Sequence, residues 1–346
     1  MKNDIRKKTG WTEKLHLPIL AVILFLNAPS AVAQQGEQWI SFDPEEKSNG
    51  KHIVLISGDE EYRSEEALPM LAKILTRHHG FRTTVLFAID PETGAINPDN
   101  QNNIPGLEHL ASADLMVLFT RFRELPDSEM KHIVEYINNG KPIVGMRTAT
   151  HAFGYSNDSG SPYAKYSYNS NTEGWEGGFG RQILGETWIN HHGVHGREGT
   201  RGLIDGVKKK KNPILSGVTD IWGNTDVYGV NELEGDHEVL VWGQSTNGMT
   251  PESPVIWEKS IMPVAWTRNY TSESGRTGRV FTTTMGGSQD LKSEDLRRLL
   301  VNACYWATGM ENEIPERGNV NFVGEYDPIM FGFGDFNKGL SPSDYK

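Results

Sequence analysis

Short apolar runs alternate along this chain with longer stretches whose apolar residues recur every three or four positions. "HIVLISG" (His52–Gly58) is almost wholly apolar and closes on glycine, as a strand buried on both faces of a parallel sheet does. "SEEALPMLAKILTRHHG" follows at helical spacing, with acids in the first turn, bases in the last and Gly80 as the stop. Pro69 either opens that helix or kinks its first turn. "TTVLFAI" (83–89) and "LMVLFTR" (115–121) predict two more strands, "SEMKHIVEYINNG" (128–140) a helix, and "KPIVGMRTA" (141–149) a fourth strand. Strands alternating with helices predict an α/β fold built on a parallel sheet with right-handed crossovers.

The rhythm breaks at Phe153. Residues 154–180 are rich in Gly, Ser, Asn and Tyr, without a period, and too long for an ordinary connection. Loops of that kind at the carboxyl edge of a parallel sheet are where binding sites are built. Further strands are expected at "DVYGVNEL", "EVLVWGQ", "MPVAWTRNY" and "GRVFTTTMG". A last helix over 293–309 has Ser293 as N-cap and Gly309 after its end. There is no internal repeat and no inter-domain linker, so 51–310 reads as one domain, and 311–346 as an aperiodic extension wrapping its surface.

The first 33 residues stand apart. A basic start, the apolar core "LPILAVILFL" and "AVA" before Gln34 have the order of a secretory signal, too short to span a membrane comfortably. A polar lead-in covers 34–50. The expected mature product is exported, to the periplasm or beyond, and free of the membrane. No cysteine follows the apolar core, so a lipid anchor is not expected.

Composition sharpens the choice of partner. The whole chain has 34 Lys and Arg against 45 Asp and Glu, and residues 1–33 hold five of the former and two of the latter, so the remainder stands at −14. Nucleic acid and anionic membrane are thereby disfavoured, and "KKKK" (208–211) reads as a solvated turn. A single cysteine, Cys304, rules out an intrachain disulfide and leaves stability to the packed core. Nine Trp and eleven Tyr would serve either packing beneath loops or stacking on sugar rings.

Four clusters fall where strands should end. "SGDEEYRSEE" supplies Asp59, Glu60 and Glu61 after the first strand; acids enriched at a helix N-terminus are the structural alternative. In "GMRTATHAF", Gly145 to Ala149 has the turn residues of a nucleophile elbow, but Arg147 fills the nucleophile position. A permanently protonated guanidinium cannot attack, though it can clamp a carboxylate or polarise a carbonyl. Cys304 falls on an amphipathic helix, so thiol acyl transfer, and with it a glutamine amidotransferase, is excluded. His151 lies just beyond the elbow. "TWINHHGVHGREGTRG" brings Trp188, His191, His192 and His195 together, and the i, i+4 spacing of His191 and His195 is that of zinc-binding helices. Gly193 and Gly196 weaken a helix there, and His192 occupies the place where such motifs carry a glutamate base. A divalent metal such as zinc, a hydrogen-bonding site for a polyol and plain loop histidines all remain open. The fourth cluster is Asp226 and Tyr228, with Arg268 in "AWTRNY".

With these residues in hand, the chain resembles the ThuA-like, or trehalose-utilisation, family. The landmarks are "SGDEEYRSEE", "PIVGMRTATHAF", "GRQILGETWINHHGVH", "NPILSGVTDIWGNTDVYGV" and "MPVAWTRNY…GRVFTTTMG…LRRLLVNACYWATG", in order from about residue 50 to 310. The resemblance implies a flavodoxin-like fold related to the class I glutamine amidotransferase sheet but lacking its nucleophile. The exported form with "HHGVH" is similar to a subgroup from bacteria that degrade environmental glycans. Many members lead from the last strand into Gly-His, where this chain has Met285-Gly286-Gly287. The resemblance implies a role in disaccharide catabolism, beside oxidoreductases that make 3-keto-sugars. A keto-sugar is acidic next to its carbonyl, so a base with a cation isomerises it or eliminates its glycosidic substituent. On that reading His151, His191, His192, His195 and Arg147 are the catalytic candidates. Asp59, Glu60, Glu61, Trp188, Asp226, Tyr228 and Arg268 contact a small-molecule sugar, and His191 and His195 hold any metal. A glycan hydrolase and a non-catalytic sugar-binding protein are the competing classes.

Overall fold

A computed structural model describes residues 37–156, 159–233 and 235–346. The secretory signal expected over 1–33 lies outside the described residues.

The continuous apolar runs form a parallel core. Strands β2 (His52–Gly58), β3 (Arg82–Leu86), β4 (Leu115–Thr120), β5 (Ile143–Met146) and β10 (Thr277–Thr283) pair parallel in the spatial order β3-β2-β4-β5-β10. Numbered along the chain, those five strands stand 2-1-3-4-5, the flavodoxin-like doubly wound order. Alternate residues of each strand enter opposite layers, as period-two side chains must. Ile53, Leu55, Val117 and Phe281 pack under helices α1 (Ser64–His79) and α4 (Glu294–Ala307), whereas Val54, Ile56, Leu118 and Val280 pack with α2 (Asp127–Asn138). Ligands of such sheets bind outside the carboxyl ends of the strands.

The sheet is larger than its parallel part. An edge strand β1 (Trp39–Phe42), within the polar lead-in, pairs antiparallel with β3. On the other side β9 (Met262–Thr271), β8 (His237–Thr246), β6 (Gly199–Leu203) and β7 (Ile221–Gly223) continue it antiparallel, to ten strands among the described residues. "DVYGVNEL" is not a strand of this sheet. Only Tyr228 bridges, to His191, because the segment turns across the strand ends instead of joining the ladder.

Helix boundaries follow their chemistry with three departures. Gly80 ends α1 in the left-handed region at φ 72° and donates to the carbonyls of Leu75 and Thr76. Pro69 lies inside α1, a turn beyond its start, rather than at its opening. Ser293 stands at the N-cap of α4, but its hydroxyl accepts from the Trp222 amide and not from its own helix. The lysine run is the short helix α3 (Gly206–Lys211), capped by Asp205, and Lys208 donates to the Val239 carbonyl at 2.7 Å instead of being wholly solvated.

Two long segments pack inward. Tyr155, Tyr166 and Phe179 of the 154–180 region are buried, and Phe153 meets Phe179 edge to face. The aromatics of that loop hold it down. The carboxyl-terminal extension lies against α1 and the sheet edge, with Val320 and Phe336 buried and Tyr345 stacked on Phe87. Among the described residues no helix is long and apolar enough to cross a membrane.

Candidate functional site

Three parallel strands end in the same unusual way. Arg63 lies a few residues beyond β2, Phe122 just beyond β4 and Arg147 directly after β5, and all three adopt positive φ, at 58°, 50° and 42°. They are the only non-glycine residues to do so among the described residues. A side chain in that region costs on the order of 1 kcal/mol, and such strain concentrates at functional edges.

Arg147 occupies the elbow that its sequence motif announced, yet it faces inward. Fully buried, it donates to the backbone carbonyls of Asp226 and Thr284, each at 2.7 Å, to the Tyr62 hydroxyl at 3.0 Å and to Asp226 Oδ1 at 2.8 Å. Its guanidinium carbon sits 3.7 Å from the Tyr228 ring centre and 4.4 Å from that of Tyr62. The expectation that Arg147 contacts a substrate carbonyl is corrected: both terminal amino groups are engaged within the protein and Nε is buried without a partner among the described residues, so what Arg147 positions is Asp226.

Asp226 is the hub. Its other oxygen accepts from His191 Nδ1 at 2.7 Å, and His195 Nδ1 lies 3.5 Å from Oδ1. Burial works to raise this carboxyl, but the hydrogen bonds from His191 and His195 and the charge of Arg147 overcome it and hold it well below the usual range. His195 Nε2 lies 3.2 Å from Glu61 Oε1, so this imidazole stands between two carboxylates. The hydrogen bond to Asp226 raises the His195 pKa against burial, with Glu61 adding to it. The two imidazole rings are 4.9 Å apart, and both side chains are about one-third exposed.

The loop that presents them is not a helix. Residues 190–193 run antiparallel to 227–229: the amides of His192 and Gly193 both donate to the Val227 carbonyl, and Gly229 donates to Asn190. A turn in which Arg197 and Glu198 donate to Val194 then brings His195 back beside His191. Gly193 is required by close approach, since a Cβ there would lie 2.8 Å from that of Asp226. The i, i+4 spacing therefore converges by a turn, not by a helix face.

The same packing separates the other candidates. His192 points away, its Nε2 on the Ser260 carbonyl at 2.8 Å, so it leaves the catalytic set. His151 is buried, 5.5 Å from Trp188 and 5.9 Å from Tyr228 between ring centres, behind the rings that touch His191. Burial, then the charges of Arg121 and Arg147, push its pKa well down, so it is neutral. It backs the site and does not face a ligand. Asp59 is likewise internal: its carboxylate accepts from the amides of Glu61 and Tyr62 and from the Thr148 hydroxyl, tying the turn after β2 to the elbow. Glu60 is clamped by Arg121 and Arg123. Arg268 sits on β9 opposite Val280, three registers in from the carboxyl edge, and donates to the Arg181 carbonyl, so it lies outside the cluster.

Glu61 and Trp188 remain at the cluster, with Tyr228 beneath it. Burial raises the Glu61 pKa against the opposing charge of Arg121. Tyr62, Arg121, Asp290 and Phe331 were not singled out by sequence. Asp290 binds the amide and hydroxyl of Thr225 and the amides of Gly286 and Gly287, fixing the residue before Asp226. The glycine pair at 286–287 closes on that acid with both of its amides.

As donors for a metal, His191, His195 and Asp226 each offer one atom within 4.8 Å of the others. Two imidazoles and a carboxylate are a borderline set of the kind zinc takes in open catalytic sites, so the residue types fit.

The chain matches the family described as ThuA: Trehalose utilisation over residues 52–307. No curated protein matches it. Among solved structures, a ThuA-like protein from Bacteroides uniformis shares 14% identity with a TM-score of 0.47, over 76% of this chain and 93% of that one. One from Parabacteroides merdae shares 16% identity, again with a TM-score of 0.47, over 76% and 90%. PurLQS from Thermotoga maritima aligns at 12% identity and a TM-score of 0.37, over 74% and 99%.

Proposed function

The chain belongs to the ThuA, or trehalose-utilisation, family, and from that premise we propose that it processes an oxidised, keto form of a trehalose-type disaccharide by acid–base chemistry. The observation that carries this reading is the single carboxylate of Asp226, locked by buried Arg147 and engaging both His191 and His195. The hydrogen bond from His191 Nδ1 fixes its tautomer and leaves Nε2 as the basic nitrogen, as an aspartate orients a catalytic histidine elsewhere. His195, whose protonated form is favoured by the flanking Asp226 and Glu61, serves as acid.

The chemistry balances without a co-reactant. His191 removes the proton on the carbon between the ketone and the glycosidic carbon. The released electron pair forms a carbon–carbon double bond as the glycosidic C–O bond breaks. The departing sugar oxygen takes a proton from His195. The test is purified protein with 3-keto-trehalose in D2O, followed by NMR. Release of glucose, or deuterium incorporation next to the ketone, is expected; neither from intact protein would sink the reading.

A second reading rests on the convergence of donor atoms: a divalent cation such as zinc held by His191, His195 and Asp226. It would supply a Lewis acid for the substrate carbonyl. Metal analysis of purified protein, and of its Asp226→Asn variant, separates the two. Stoichiometric metal lost in the variant supports the cation, and its absence from intact protein refolded with zinc excludes it. Export is part of the proposal and rests on the order of residues 1–33. Intact mass of the secreted product should begin at Gln34.

A further inference from the structure

Residues 329–334, "IMFGFG", lie beyond the family match and cross the edge of the His191–His195 site. The crossing is fixed at several points. Ile329 donates its amide to Glu66 Oε2 at 3.0 Å, and Gly332 donates to the Glu61 carbonyl at 2.8 Å. The Phe331 ring packs 5.2 Å from His195 and 5.3 Å from Tyr62. Two residues on, Phe333 is 59% exposed, a large apolar side chain open to solvent. Its ring lies 5.1 Å from the Arg121 guanidinium, whose other ring neighbour, Phe122, is at 4.5 Å. Arg121 in turn pairs with Glu60 and Glu61.

An exposed aromatic held in place by a cation beneath it, at the lip of a site lined by acids and imidazoles, is the surface on which the apolar face of a sugar ring stacks. We propose that the carboxyl-terminal segment forms a second sugar subsite, in which Phe333 stacks on the ring that is not oxidised and so selects disaccharides over monosaccharides. This rests on the reading of the cluster as a sugar site. Phe331 fixes the segment against His195, and Phe333 is the specificity-determining residue. Glycines at 332 and 334 suit this role, because Gly332 and Gly334 take positive φ, at 150° and 77°, and let the strip lie flat between its aromatics.

Unreactive sugars test the subsite without turnover. Trehalose and glucose are titrated calorimetrically into the intact protein and into its Phe333→Ala and Phe333→Trp variants. Trehalose affinity should fall about fivefold in Phe333→Ala, as loss of one aromatic stack implies, and be restored in Phe333→Trp. Glucose affinity should stay unchanged. Equal trehalose binding by intact protein and Phe333→Ala, an equal loss for both sugars, or no preference of the intact protein for trehalose would each overturn the proposal. A preference abolished by Phe333→Ala in a protein that never turns over keto-trehalose would sink the proposed reaction and leave the subsite standing.

Discussion

At the scale of single residues, the site is a division of labour between buried and half-exposed groups. Arg147, Asp59 and His151 are internal, and the contact with solvent is left to His191, His195 and Trp188. Two neighbours in one motif then have opposite fates. His191→Ala should cut turnover by about 10²–10⁴-fold, the worth of a positioned base, with a melting temperature close to that of the intact protein. His192→Ala should leave turnover intact, because that ring is bonded to the Ser260 carbonyl away from the cluster. Equal losses in the two, measured by glucose release, would show that the loop acts only as scaffold. Sequence placed both histidines in one motif and could not part them, because what parts them is a turn set by hydrogen bonds to Val227, more than thirty residues away. It also overlooked Tyr62 and Asp290, which carry no spacing signal and gain their roles from strand ends meeting in space.

Elements show a different kind of tension. The start of α1 carries Glu65 and Glu66 under the carboxyl-terminal extension, and among the described residues neither Glu65 oxygen has a hydrogen-bond partner. Burial pushes the Glu65 carboxyl up to about 8 and that of Glu66 up to about 7, from an ordinary 4.5. A carboxyl whose folded pKa is raised binds its proton more tightly in the native state. Its destabilisation is absent below about 4.5, grows as pH rises, and is complete above about 8. Glu65→Gln should therefore raise the melting temperature at high pH, by the equivalent of a few kcal/mol, and change little near pH 4.5. A uniform shift at both pH values would refute the assignment. On α4, the Cys304 thiol is fully buried, and burial raises its pKa far above the usual thiol range. Cys304→Ser should cost on the order of 1–3 kcal/mol, read from denaturant unfolding, while sugar binding is preserved. The parallel strands and principal helices were legible because uninterrupted apolar runs and 3.6-residue periods are local signals. β6 and β7 were not, since strands of five and three residues with glycine and tryptophan carry too little pattern to distinguish from loop.

On the scale of the whole molecule, the family-matched region ends at residue 307, yet the packed body does not. The extension contributes buried Val320 and the half-buried Phe322, Tyr326, Phe331 and Tyr345 to the layer that also holds α1 and α4, and it buries its own Phe336. Leu340 accepts from the Ile96 amide at 2.7 Å, and His79 reaches the Asn319 carbonyl at the same distance. Ending the chain after Gly309 would uncover those apolar contacts. Each partly buried aromatic is worth roughly 1–2 kcal/mol, so the truncated protein should melt lower by about 10 °C or more. The same cut should relieve Glu65 and Glu66 of the chain that buries them. Their pKa values then return toward 4.5, and the truncated protein loses the rise in stability that the full chain gains on acidification from pH 8 toward pH 5. Melting curves of both forms across that range test the two consequences together. An extension that merely rests on the surface would leave the melting temperature and its pH slope unchanged. One that belongs to the core lowers the first and flattens the second.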